Sequence, residues 1–177
     1  MTPSRSFLSE SLGAWREVRD GVIAEVDNIR STKFDFRPTA ETRSVRELVQ
    51  HILEVASMMT GELTRADTDF RRAPWPDLLR LHGAHVQDAQ NKKELLELLH
   101  AQIDEAEKAF RKCGELEMLQ FIQYFDGSRG TKLQWLHHGI GHELYHRGQL
   151  TVYARLLGVE PARTHRTSGE SGEREER

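Results

Sequence analysis

Residues 131–157 read TKLQWLHHGIGHELYHRGQLTVYARLL, apolar on two opposite sides at helical spacing. Trp135, Tyr145, Val152, Tyr153 and Leu156 share one side with His138, His142, His146 and Gln149. Leu133, Leu136, Ile140, Leu144 and Leu150 form a second stripe about half a turn away. A helix apolar on both sides is buried on both sides. The histidine side is therefore expected to turn inward, and the second stripe to meet a neighbouring helix or another subunit, so a homodimer is predicted. Gly158 and Pro161 end the helix.

Three other stretches can cover it. From about Ser4 to Ile29, Leu8, Leu12, Trp15, Val18, Val22, Val26 and Ile29 recur at helical spacing. Ser44-Val45-Arg46-Glu47 has the form of a capping box, and Val45, Leu48, Val49, Ile52, Val55, Met59 and Leu63 carry the helix onward. A third helix runs from about Asn91 to Cys113 on Leu95, Leu98, Leu99, Ile103, Ala106 and Phe110. The proline-bearing connection RRAPWPDLLRLHGAHVQDAQ reads as irregular, with a helical turn around Leu78–Leu81, and no stretch alternates as a strand would. The expectation is an all-α four-helix bundle. One domain spans residues 1–162. Residues 163–177, RTHRTSGESGEREER, lack aliphatic and aromatic side chains and read as a disordered tail.

A net charge of −3 offers no basic field for nucleic acid. The chain shows no apolar run of signal-peptide or membrane-spanning kind, and its single cysteine, Cys113, has no partner for a disulfide or a CxxC site. A cytoplasmic protein is expected.

His138, His142 and His146, four residues apart, stack on one helical face. Imidazoles on an apolar face need partners, and a divalent cation can hold several at once. His51, at the edge of the second helix's stripe, supplies a donor from a separate element. His51, His142 and His146 together make a three-imidazole site with positions open to water or substrate. His138 lies one turn away as outer support or pocket wall. Such a site takes a divalent transition metal (zinc, nickel, iron, cobalt, copper or manganese) without choosing among them. Trp135, His138, Tyr145, Gln149 and Tyr153 are candidates for the pocket. His82, His85, His100, His137 and His165 read as surface or loop residues.

His142-Glu143-Leu144-Tyr145-His146 also spells HExxH, the zinc-peptidase motif. The longer HExxHxxGxxH pattern fails at Gln149 and Val152, no strand precedes the helix, and Glu143 falls off the face of the two histidines. The peptidase reading is the minor alternative, with Glu143 read as a solvated or interface charge.

The string from His138 through His142, His146-Arg147-Gly148-Gln149-Leu150 to Arg155 and Gly158 resembles the last helix of the DinB/YfiT-like superfamily. Arg37-Pro38 followed by Ser44, Glu47-Leu48 and His51 resembles that family's other marker. The resemblance implies an up-down four-helix bundle with a long crossover, often dimeric. It implies a divalent metal held by one histidine of helix two and two of the last helix, here His51, His142 and His146. It also implies either a metal-dependent enzyme of thiol-transferase or hydrolase type, using a low-molecular-weight thiol or another small substrate, or a non-enzymatic stress- or damage-inducible metal-binding bundle.

Overall fold

The computed structural model describes residues 6–162; the tail expected at 163–177 lies outside the described residues. All four long helices begin at a short polar side chain that accepts a bond from an otherwise unpaired backbone N–H. Ser6 opens α1 (Phe7–Asn28), Ser44 opens α2 (Val45–Leu63), Asn91 opens α4 (Lys92–Cys113) and Thr131 opens α6 (Lys132–Leu156). At Ser44 the capping box read from the sequence is complete, with Glu47 accepting from the Ser44 N–H in return.

These four helices form the expected bundle. One end gathers the N-terminal halves of α1 and α6 with the C-terminal halves of α2 and α4, around Leu12, Trp15, Met58, Phe110 and Leu136. The other end gathers the opposite halves, around Val26, Leu48, Leu95, Leu150 and Ala154. The helices therefore run up, down, down, up. α1 and α6 are parallel neighbours, α2 and α4 run against them, and α1 lies diagonally opposite α2. Two consecutive helices in the same direction require the chain to travel back the length of the bundle, and residues 64–91 make that crossover.

The crossover is more regular than its sequence implies. Instead of a turn around Leu78–Leu81 it carries α3 (Trp75–Gly83), packed on α2. The prolines at 74 and 76 fall at its start, where a missing N–H costs nothing. Between α4 and α6 come a single helical turn, α5 (Glu115–Met118), and an antiparallel hairpin of β1 (Phe121–Gln123) and β2 (Arg129–Thr131), paired Phe121 to Thr131. Strands of three residues are too short for alternation to show, so the sequence reading missed them. The left-handed Gly127 (φ 84°) in the connecting turn is their one local mark.

The two apolar sides of α6 resolve differently from expectation. Leu136 and Leu150 are fully buried, and Leu133 and Ile140 pack against the core, so the second stripe is mostly the core face. Tyr145, Val152 and Leu156 on the histidine side are exposed, as is Leu144. A bundle helix with two long neighbours, here α1 and α2, is covered over only part of its circumference. The histidines lie where cover gives way to solvent. Among the described residues, no helix is long and apolar enough to cross a membrane.

Candidate metal centre

Helices α2 and α6 approach closely because Gly139 lacks a side chain: a Cβ there would meet the Met59 sulfur at 1.8 Å. One turn further along α6, His142 faces His51 of α2. Their Nε2 atoms are 3.2 Å apart, and the His146 Nε2 lies 3.0 Å from the His142 Nε2. The three donor atoms all fall within 4.8 Å of one another. The structure thus brings together His51, His142 and His146, the trio read from the sequence.

Hydrogen bonding between the rings does not satisfy this geometry. An imidazole nitrogen carries either a proton or an in-plane lone pair. The His142 Nε2 meets two other nitrogens, so whichever it carries, a single directed bond cannot serve both. Three lone pairs converging on one point suit a cation. Donors about 2.0–2.1 Å from one ion at tetrahedral or octahedral angles lie about 2.8–3.4 Å from each other, which matches the 3.2 and 3.0 Å separations of the His142 Nε2 from its two neighbours.

The surroundings prepare the rings for that role. The His146 Nδ1 lies 2.8 Å from the Gln149 Oε1; a proton on Nδ1 makes that bond and leaves the Nε2 lone pair directed at the other two rings. Gln149, a pocket candidate without a role in the sequence, is thus the residue that holds the His146 ring. Burial pushes His51 down to about 3 and His142 to about 4, with the nearby positive charge of Arg43 acting in the same direction on both. Burial also lowers His146, against the opposing Gln149 contact. All three rings are therefore neutral at pH 7, as metal ligation requires. Transition-metal affinity is expected to stay level as pH falls through 6.5, where an ordinary histidine begins to yield to protons. It should fall only as pH nears the lowered values; isothermal titration between pH 8 and 4 measures this.

Other predicted residues take separate places. His138 is exposed and stacks on Trp135 at 4.8 Å between centroids, while Trp135 itself packs with Phe70, Tyr124 and Phe125. Tyr145 stands edge-on to His146 at 5.1 Å. The Tyr153 hydroxyl donates to the Arg43 carbonyl at 3.0 Å. Arg43 was not among the sequence candidates, and no local pattern marks it.

Glu143 requires correction. It is buried, 2% exposed, and not the solvated or interface charge expected. Its carboxylate accepts from the Trp15 Nε1 at 2.8 Å and from the Arg19 Nε and Nη2 at 2.5 and 3.0 Å. Arg19 continues to the Leu99 carbonyl at 3.1 Å and Gln102 at 2.8 Å, and Gln102 reaches the Leu53 carbonyl and Ser57 of α2, each at 3.0 Å. One polar network therefore links all four long helices between the two apolar clusters. A carboxylate held this way by a guanidinium and an indole is not poised to activate water, which removes the peptidase reading's central group. His82 is also more than a surface residue: its Nε2 is 2.5 Å from Glu62, a fully buried carboxylate that also pairs with Arg72. His137 is exposed yet bonds the Ser11 hydroxyl at 2.7 Å. His85 and His100 are exposed as read, and His165 lies outside the described residues.

The model of the DinB family matches residues 3–177. No curated protein sequence matches the chain. Among solved structures, the DinB-like protein YjoA from Bacillus subtilis is similar with a TM-score of 0.64 at 19% identity, over 84% of this chain and 92% of that one. YfiT from Bacillus subtilis, described as a probable metal-dependent hydrolase with an unusual four-helix bundle topology, gives 0.64 at 17% identity, over 89% and 93%. A mycothiol-dependent maleylpyruvate isomerase gives 0.65 at 16% identity, over 82% of this chain and 63% of that one. Identities this low speak to the fold alone.

Proposed function

This chain belongs to the DinB family, and from that premise we propose that it binds a divalent transition metal through His51, His142 and His146 and acts as a metal-dependent enzyme of thiol-transferase or hydrolase type. The observation that carries the reading is the convergence of three neutral imidazole nitrogens from two helices, with no carboxylate joining the group among the described residues. Three protein ligands leave coordination positions free, which distinguishes a site for chemistry from a closed structural one. A divalent ion in that place supplies Lewis acidity, lowering the pKa of a water or thiol so that a nucleophile exists near neutral pH. The chain's own residues prepare the site: burial keeps the rings unprotonated, Gln149 fixes the His146 tautomer, and the exposed Tyr145 ring stands against His146. The thiol option follows the mycothiol dependence of the isomerase, and the hydrolytic option the description of YfiT as a probable metal-dependent hydrolase.

A cytoplasmic location accompanies this reading, since the fold uses no disulfide. So does a homodimer. Leu144, Val152 and Leu156 on the outer strip of α6 are 51, 51 and 59% exposed and have the character of a covered surface. A light-scattering mass of two chains supports the dimer, and a mass of one counts against it.

Elemental analysis of protein isolated without a nickel column tests the metal, and about one transition-metal ion per chain is expected. Conjugation of a low-molecular-weight thiol to an electrophile, and hydrolysis of a small ester, test the chemistry. Either activity should vanish on chelation and return with metal. A protein that neither carries nor takes up a transition metal would overturn the proposal. Metal without either activity would favour the non-enzymatic, stress-inducible bundle.

A further inference from the structure

The open side of the three-histidine site has a charge the histidines do not account for. Counting back two turns along α2 from His51 leads to its N-cap Ser44, which Arg43 immediately precedes; counting forward two turns along α6 from His146 leads to Tyr153. Because α2 and α6 run in opposite directions, both paths reach the same end of the site. They meet there, as the Tyr153 hydroxyl donates to the Arg43 carbonyl at 3.0 Å. Tyr153 is only 7% exposed and is held by Phe36, with the rings edge to face at 6.1 Å. The Arg43 backbone is therefore fixed to both helices that carry the ligands, about 11 Å along the bundle from them, and an extended arginine side chain covers more than half of that gap.

The side chain itself is exposed and makes no ion pair among the described residues, whereas the neighbouring Arg37 and Arg46 pair with Glu47 and Asp35. The ligands are neutral, no carboxylate joins them, and Glu143 is turned inward to Arg19. With a divalent ion in place, the ion and the exposed Arg43 guanidinium both put positive charge at this end of the site, a setting that favours an anion and penalises a neutral isostere.

We propose that Arg43 determines substrate choice at this site by pairing with a carboxylate of a small anionic substrate whose other polar end reaches the metal position. A guanidinium suits that task through its planar pair of N–H donors. The proposal rests on the metal-binding function above and adds the substrate class to it.

The test uses cobalt-loaded protein, with cobalt content measured first for every variant. 3-Mercaptopropionate and its neutral amide are then titrated, and the thiolate-to-cobalt charge-transfer band reports binding. Wild type should prefer the carboxylate by about tenfold or more, the strength of a charge-assisted bond. Arg43→Met should erase the preference while leaving cobalt content and amide affinity unchanged, and Arg43→Lys should restore part of it. Equal affinities in wild type would overturn the proposal. So would a preference surviving in Arg43→Met, because the metal alone would then be chelating the carboxylate. If wild type takes up no cobalt, the metal reading itself fails, and this is seen before any ligand is added.

Discussion

Glu143→Ala is expected to destabilise the protein by about 3–5 kcal/mol, the cost of leaving a buried guanidinium without its counter-charge. Arg19 is fully buried, and its remaining partners, the Leu99 carbonyl and Gln102, are neutral. Trp15 would also lose the acceptor for its indole N–H. For a domain whose net stability is about 5–15 kcal/mol, such a loss approaches unfolding at growth temperature. The Arg19→Met/Glu143→Leu double variant should recover much of it, since apolar replacement of a whole buried pair is often neutral or better. Urea denaturation of the three proteins measures both effects. The same variants separate this reading from an HExxH peptidase, in which the glutamate acts on water and its loss stops catalysis with little effect on stability. A Glu143→Ala protein within about 1 kcal/mol of wild type would show that the network is not holding the four helices together.

Much of this was legible before any coordinates. Periodicity located the four long helices, and Ser44 with Glu47 announced where α2 begins, because cap chemistry is local. The site was legible for a related reason. Helical spacing alone puts His142 and His146 on one face, and a histidine at the edge of an apolar stripe, as His51 is, needs an inward partner. Glu143 was misread because it was judged only against the histidine face, although α6 also packs along α1. The missing signal lay in α1. Arg19 sits four residues after Trp15 and three before Val22, on the core stripe itself, and a cation there calls for a buried acid. Arg43 left no such trace. Its position depends on a tie between Tyr153 and a backbone carbonyl 110 residues away in sequence, which no local pattern encodes.

His142→Ala is expected to abolish the metal-induced rise in melting temperature while leaving the metal-free protein at least as stable as wild type. Metal bound only by the folded state contributes about 2.7 kcal/mol at a free concentration one hundred times its Kd. In a protein of this size each kcal/mol corresponds to about 2–4 °C, so wild type should gain roughly 5–11 °C under those conditions. His142 is the central member of the proposed trio, its Nε2 lying 3.2 Å from that of His51 and 3.0 Å from that of His146. Loss of an outer-shell partner typically costs 10–100-fold in affinity, so loss of a direct ligand should exceed about 100-fold and leave no measurable shift. Without metal the balance differs. Three nitrogens, two on half-buried rings and one on the buried His146, that cannot all satisfy one another gain little from proximity, and removing the middle one relieves that conflict. Gln149→Ala should fall between the two, weakening the metal-dependent shift without removing it, because His146 keeps its place and loses only its tautomer restraint. Equal metal-induced shifts in wild type and His142→Ala, read by scanning calorimetry with and without added zinc, would mean that the ion binds elsewhere on the chain.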